Sequence, residues 1–214
     1  MKTTLILIRH GESEANREHV FAGQKDVKLL DQGVEQAKKA AKFIAENYNV
    51  DNVYSSDLQR AYQTGECIAE LFGIDVIKNK NLREIYAGMW QGRKFSDIVS
   101  LYEKDYSCWL NDIGNCTCTG GESVKQLADR VLSALTEIAE QNSGKTVVVA
   151  THATPIRAMQ CLWCGKRLDE MKSVPWVSNA SITEVIYKDG TWHLTQIGKD
   201  TYLSELKTVF PENV

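Results

Sequence analysis

A four-residue apolar run, Leu-Ile-Leu-Ile at 5–8, passes directly into Arg9, His10 and Gly11. A second apolar run, Val-Val-Val-Ala at 147–150, ends two residues later on His152. Arg60 falls in the opening turn of a helix that follows a short strand at 52–55. In open α/β sheets ligands collect at the carboxyl ends of strands, where helix N-termini aim amide groups and positive dipole at whatever binds. Two arginines and two histidines at that edge, with the amides after Gly11 and Thr154, suit a dianionic tetrahedral group such as a phosphoryl. A neutral imidazole is also a nucleophile near pH 7, provided its other ring nitrogen is held as a donor. Cleaving a phosphomonoester this way needs a proton for the departing alkoxide. Glu84, in NLREIYAGMWQG, is the candidate, since a carboxyl beside a bound dianion holds its proton more readily. Arginine and histidine supply the positive charge, so the chemistry requires neither metal nor cofactor.

Positioning these groups falls to an alternation of short β-branched runs with long helical patterns, which is how a mostly parallel sheet covered by helices on both faces reads in sequence. The fold class expected is α/β, a three-layer α/β/α arrangement. Residues 4–8 form the first strand. Asp31 is placed to cap a helix whose apolar stripe is Val34, Ala37, Ala41, Ile44, Ala45 and Tyr48. After the strand at 52–55, Ser56 and Gln59 have the spacing of a capping box, and Gly73 stops that helix before a strand at 74–77. Residues 80–120 break the rhythm with six tyrosine, tryptophan and phenylalanine side chains and one good helical stretch at 95–106. They read as an insertion, or cap, over one end of the sheet within a single domain spanning 1–214. Ser123 and Gln126 form another capping box. Thr154 and Pro155 read as cap and first residue of the helix after His152. Asp189-Gly190 between two alternating runs predicts a closing antiparallel hairpin.

Composition narrows the partners. With 25 Lys and Arg against 28 Asp and Glu, the net charge of −3 provides no overall basic field for nucleic acid or anionic lipid. No run is long enough to enter a membrane or act as an export signal, so the chain reads as cytoplasmic, a monomer or homodimer acting on a small phosphorylated molecule. The six cysteines are then reduced thiols. Cys161-x-x-Cys164 is the lone CxxC, sits in a helical pattern and has few histidines to complete a zinc set, so it is read as packing. His19 and His193 read as surface groups, Arg157 as a structural ion-pair partner, and Trp90, Tyr106 and Trp109 as the core of the insertion.

Taken together, Arg9-His10-Gly11-Glu12-Ser13 with Asn16, VYSSDLQRAYQTGECIA, LREIYAGMWQGR, GGESVKQLADRV and VVVATHATPIR resemble the histidine phosphatase superfamily, the phosphoglycerate-mutase-like proteins, in that family's order. The resemblance implies that His10 is transiently phosphorylated, that Arg9, Arg60 and His152 hold the phosphoryl oxygens, and that Glu84 is acid and then base. It further implies a pocket lined by Gly11, Ser13, Asn16, Ala22, Gly23 and Ala153. Three positions depart from the pattern: Ala153 stands where glycine commonly follows the second histidine, Leu30 where a capping threonine is usual, and Gln91 where the glutamate of GxWEG is usual. Between Lys94 and Arg130 the cations are Lys104 and Lys125, without the arginine pair by which mutases of the family retain a bisphosphate. A phosphatase of the small branch is therefore expected. A cofactor-dependent phosphoglycerate mutase, an α-ribazole phosphatase and a non-catalytic scaffold for phosphorylated ligands are the alternatives.

Overall fold

The computed structural model describes residues 1–208. In chain order its elements are β1 (Lys2–Arg9), α1 (Glu14–Arg17), β2 (Val20–Phe21), α2 (Asp31–Asn47), β3 (Asn52–Ser55), α3 (Gln59–Phe72) and β4 (Val76–Lys78), followed by β5 (Arg93–Lys94), α4 (Phe95–Leu101), α5 (Glu103–Asn111), α6 (Val124–Gln141), β6 (Thr146–Thr151), α7 (Ala153–Trp163), β7 (Ile182–Lys188) and β8 (Thr191–Lys199). Six strands form one sheet in the order β4-β3-β6-β1-β7-β8. β4, β3, β6 and β1 run parallel, and the β7–β8 hairpin closes the sheet antiparallel. β2 and β5 form a separate two-stranded ribbon.

Period-two alternation along the central strands divides the apolar interior in two. Leu5, Leu7, Val147 and Val149 face a cluster built with α6, α7 and the aromatic residues of 80–120, including Trp90, Tyr106 and Trp109. Ile6, Ile8, Val148 and Ala150 face the other side, against Ala40, Ala41 and Ile44 of α2 and Ile68 and Ala69 of α3. The expected layering of helix, sheet and helix follows from this split. Among the described residues no helix is long and apolar enough to cross a membrane.

Several local expectations are corrected. Leu30, not Asp31, occupies the cap position of α2, and Asp31 is its first helical residue, where a carboxylate favours the positive end of the dipole. The helical stretch at 95–106 is two helices, broken at Tyr102. The strand expected at 74–77 is β4, two residues later, because Gly73 adopts a left-handed conformation and the chain needs further residues to turn back. His152 stands at the cap position of α7, so Pro155 is the third helical residue rather than the first. Ser123 and Gln126 do form the capping box of α6. Ser56 and Gln59 do not form one for α3. Asp26, from a distant loop, accepts hydrogen bonds from the Gln59 amide at 2.7 Å and its side-chain nitrogen at 2.9 Å.

Gly11 and Gly33 meet backbone to backbone, where the loop after β1 crosses the first turn of α2. A Cβ on either glycine would collide with main-chain atoms of the facing segment. Gly33→Ala is expected to cost about 1–3 kcal/mol, as other forced insertions into tight contacts do. A urea denaturation midpoint unchanged from the parent protein would show that α2 can move away freely.

Candidate active site

β1 and β6 are adjacent and parallel with Arg9 opposite Thr151, so the next residues, His10 and His152, emerge side by side. Their ring centroids are 5.2 Å apart. β3 pairs with the other edge of β6 and leads into α3, which carries Arg60 to the same place. Strand order thus assembles residues separated by more than 140 positions.

The two ring nitrogens of His10 have different partners. Nδ1–H donates to the carbonyl of Gly11 at 2.7 Å. A carbonyl can only accept, so the proton is fixed on Nδ1 and the lone pair lies on Nε2, where Arg60 Nε–H donates to it at 3.2 Å. Arg60 also donates to the carbonyls of Gly23 (2.8 Å) and Lys25 (2.9 Å), and Arg9 to the carbonyl of Val177 (2.6 Å). Burial lowers both guanidiniums to about 10, which leaves them charged at neutral pH.

His152 is fully buried, and its Nε2 lies 2.9 Å from Ser56 Oγ. That hydroxyl also accepts the Leu58 amide at 3.4 Å and has no other acceptor for its own proton among the described residues, so donation to His152 satisfies it and places the imidazole proton on Nδ1. Nδ1 has no hydrogen-bond partner among the described residues, which leaves a donor for a ligand. Burial, reinforced by Arg60, holds His10 and His152 well below the ordinary histidine range.

Stability should record this. The folded protein resists protonation at these two positions while the unfolded chain protonates below about pH 6.5. The stabilisation is therefore complete above that value and falls as pH drops from 6.5 towards 5, by at most about 1.4 kcal/mol per pH unit for each histidine. Urea midpoints measured between pH 8 and 5 test it; a flat profile would mean that the rings take up protons as readily in the folded protein as in the unfolded chain.

Glu84 comes from the segment after β4. Its carboxylate accepts the Ile85 amide at 2.8 Å and the Thr154 amide, in the first turn of α7, at 3.3 Å. Arg9, His10, Ser13, Asn16, Ala22, Gly23, Arg60, Glu84 and Ala153 line one cleft. Neither Gly11 nor His152 lines it: His152 is buried beside His10 behind the wall, and the Gly11 amide donates to Thr64 Oγ1 at 3.1 Å, the glycine being required by the contact with Gly33 instead. Among the described residues Arg157 forms no ion pair with a carboxylate; it donates to the carbonyls of Val174 and Lys172 and lies over the Trp176 ring at 4.1 Å. Cys161 is buried, its thiol on the Arg167 carbonyl, and Cys164 is exposed.

The pattern match over the chain decides the family. The sequence model described as histidine phosphatase superfamily (branch 1) matches residues 5–200. The chain belongs to the histidine phosphatase superfamily. Phosphoserine phosphatase 1 of Hydrogenobacter thermophilus is 36% identical over 169 residues, 79% of this chain and 80% of the relative. Phosphoglycerate mutase-like protein 4 of Arabidopsis thaliana is 30% identical over 204 residues, covering 94% and 87%. The solved structure of Bacillus stearothermophilus YhfR superposes with a TM-score of 0.90 at 26% identity, covering 94% of this chain and 99% of that one. The chain is a phosphatase of this superfamily.

This superfamily member accommodates its three unusual positions without losing a polar group from the cleft. The small methyl group of Ala153 lines the cleft at the start of α7. Gln91 accepts the Gln24 amide at 2.7 Å and packs on Gly23, whose φ of 53° is a conformation glycine tolerates. Leu30 leaves α2 without a side-chain cap.

Sequence reasoning missed four contributors. Ser56 was hidden by cap-like spacing. Asn179 donates to the His10 carbonyl at 3.0 Å and to Asn16 Oδ1 at 3.3 Å from a loop that carried no local signal. Arg130 spans the Glu84 segment, donating to the carbonyls of Asn81 (2.8 Å), Arg83 (2.8 Å) and Glu84 (2.9 Å) while its Nε and Nη2 donate to Glu122. Trp176 joins Val20, Phe21, Phe95 and Trp109 in the cleft wall.

Proposed function

We propose that this phosphatase hydrolyses small phosphomonoesters in two steps through a phosphohistidine at position 10, without a metal ion. The observation that carries the reading is the disposition of His10: Nδ1 is fixed as a donor on Gly11, and the Nε2 lone pair opens beside Arg60 in a cleft shared with Glu84. A phosphoryl oxygen arriving at Arg60 takes over the Nε–H bond and frees that lone pair. Nε2 then forms a bond to phosphorus as the bond to the ester oxygen breaks, and Glu84 transfers its proton to the departing alkoxide. In the second step Glu84 removes a proton from water as the water oxygen attacks phosphorus, and the P–N bond electrons return to Nε2. Arg9, Arg60 and His152 Nδ1–H bind the oxygens on which charge is concentrated. Ser13, Asn16 and the Ala22-Gly23 turn line the phosphate end, and Ala153 the start of α7.

Phosphate release from p-nitrophenyl phosphate in excess EDTA tests the reaction. Quenching in alkaline detergent during turnover should trap an acid-labile, alkali-stable phosphoenzyme that maps to His10. Label on another residue, or activity abolished by chelation, would overturn the mechanism.

A mutase reading is favoured by the names of relatives, the Arabidopsis protein and a probable phosphoglycerate mutase of Escherichia coli that is 32% identical over 201 residues. In the cleft, Arg9 and Arg60 are the lysine or arginine side chains that line the wall, and neither Lys104 nor Lys125 reaches it. Water should therefore displace a released product before rebinding occurs. Bisphosphate-dependent interconversion of 3-phosphoglycerate and its 2-isomer faster than phosphate release would favour the mutase. We place the enzyme in the cytoplasm, whose reducing conditions suit its free thiols, as a single domain acting as a monomer or homodimer.

A further inference from the structure

We infer that the leaving-group end of the cleft is a subsite for an apolar, ring-sized alcohol, so that the preferred substrate is the phosphomonoester of such an alcohol and not a phosphorylated amino or hydroxy acid. This rests on the phosphatase reading and assigns the substrate class of the same site.

Five side chains make that end: Val20 and Phe21 from β2, Phe95 and Trp109 from α4 and α5, and Trp176 from the loop after α7. They form a continuous aromatic wall. The Phe21 ring lies edge-on to Phe95 (5.6 Å between centroids) and to Trp109 (5.2 Å), and Trp109 stacks against Trp176 at 6.3 Å with 29° between planes. Three separate chain segments converge to build it. Trp90 packs on Phe21, Tyr106 and Trp109 from below, fixing the wall's back face. The Arg157 guanidinium lies over the Trp176 ring, 4.1 Å from its centroid, and helps to fix its position. The wall is therefore shaped before a ligand arrives and offers π faces and edges to a substrate ring.

Among the described residues a substrate carboxylate would find no cation on this wall. Arg9 and Arg60 stand at the phosphate end, where a phosphoryl dianion requires them. Arg83 is engaged with both oxygens of Asp57 at 2.6 Å, and Arg130 with Glu122 and three carbonyls. A carboxylate pressed against this wall would lose its hydration without gaining a partner, whereas a phenyl ring would leave water for a matching surface.

The test compares kcat/KM of the intact enzyme for 2-phenylethyl phosphate, ethyl phosphate and O-phosphoserine, all esters of primary alcohols, so that leaving-group chemistry differs little among them. The phenylethyl ester should exceed each of the others by at least about tenfold, the scale on which a few buried carbons discriminate. Trp176→Ala should shrink the phenylethyl-to-ethyl ratio at least about fivefold, chiefly through KM. Phe95→Ala gives a second reading if the tryptophan variant does not fold. O-phosphoserine turned over as well as or better than the phenylethyl ester would overturn this subsite while leaving the phosphatase reading intact. Phosphate release from none of the three esters and none from p-nitrophenyl phosphate would instead remove the reading on which it rests.

Discussion

Replacing His10 with alanine lowers the rate of phosphate release by on the order of 10⁴-fold or more, and no phosphoenzyme is trapped by an alkaline quench. The size of the effect follows from geometry: the cleft offers one nitrogen whose lone pair faces the anion-binding arginines. Water would have to replace it without the covalent intermediate that divides the reaction into two easier steps. Binding should survive the change. Arg9 and Arg60 are held by the carbonyls of Val177, Gly23 and Lys25, so inorganic phosphate should still protect the variant against thermal unfolding. That combination separates a nucleophile from a residue that merely completes the pocket. Turnover within about tenfold of the parent enzyme would assign the transfer to another group.

Glu84→Gln has the second largest expected effect, a loss of about 10²–10⁴-fold in kcat for alkyl phosphates, the range a positioned proton donor contributes. A carboxamide oxygen can still accept from the Ile85 or Thr154 amide, so the side chain keeps much of its seating while losing its transferable proton. The decisive readout is the dependence on leaving group. p-Nitrophenolate departs readily without protonation, and for that substrate the loss should be far smaller. An equal loss for both substrates would show that Glu84 acts by shaping the cleft.

How much of this could be read from residues alone depended on the range of the interaction. Arg9, His10 and His152 were legible because a polar residue directly after a buried apolar run needs a reason to be there, and parallel strands bring their ends to one edge. The α6 cap was legible because Ser123 and Gln126 satisfy each other within a single turn. Ser56 has the same local spacing with Gln59, yet its hydroxyl serves His152, 96 residues away, and the helix start is satisfied by Asp26. No local pattern distinguishes those two uses of serine. Gly11 looked like a phosphate-binding glycine; its requirement for bare backbone comes from Gly33, which only the packing of α2 on the loop discloses. The aromatic wall was half visible. Phe95 and Trp109 lay in the tract expected over the site, but Trp176 arrives from beyond α7, and nothing in its neighbourhood pointed back to the cleft.

The arginine that spans the Glu84 segment has a consequence for timing. The proposed nucleophile and proton donor ride on different supports: His10 on the central strands, Glu84 on a stretch fastened to α6 through Arg130 and Glu122. Since Glu122 Oε2 also accepts the Tyr86 amide, the fastening brackets the acid from both sides along the chain. Synchrony between bond cleavage and proton delivery then depends on how stiffly two independently supported parts keep their spacing, and that stiffness is set at α6, on ground the substrate never touches.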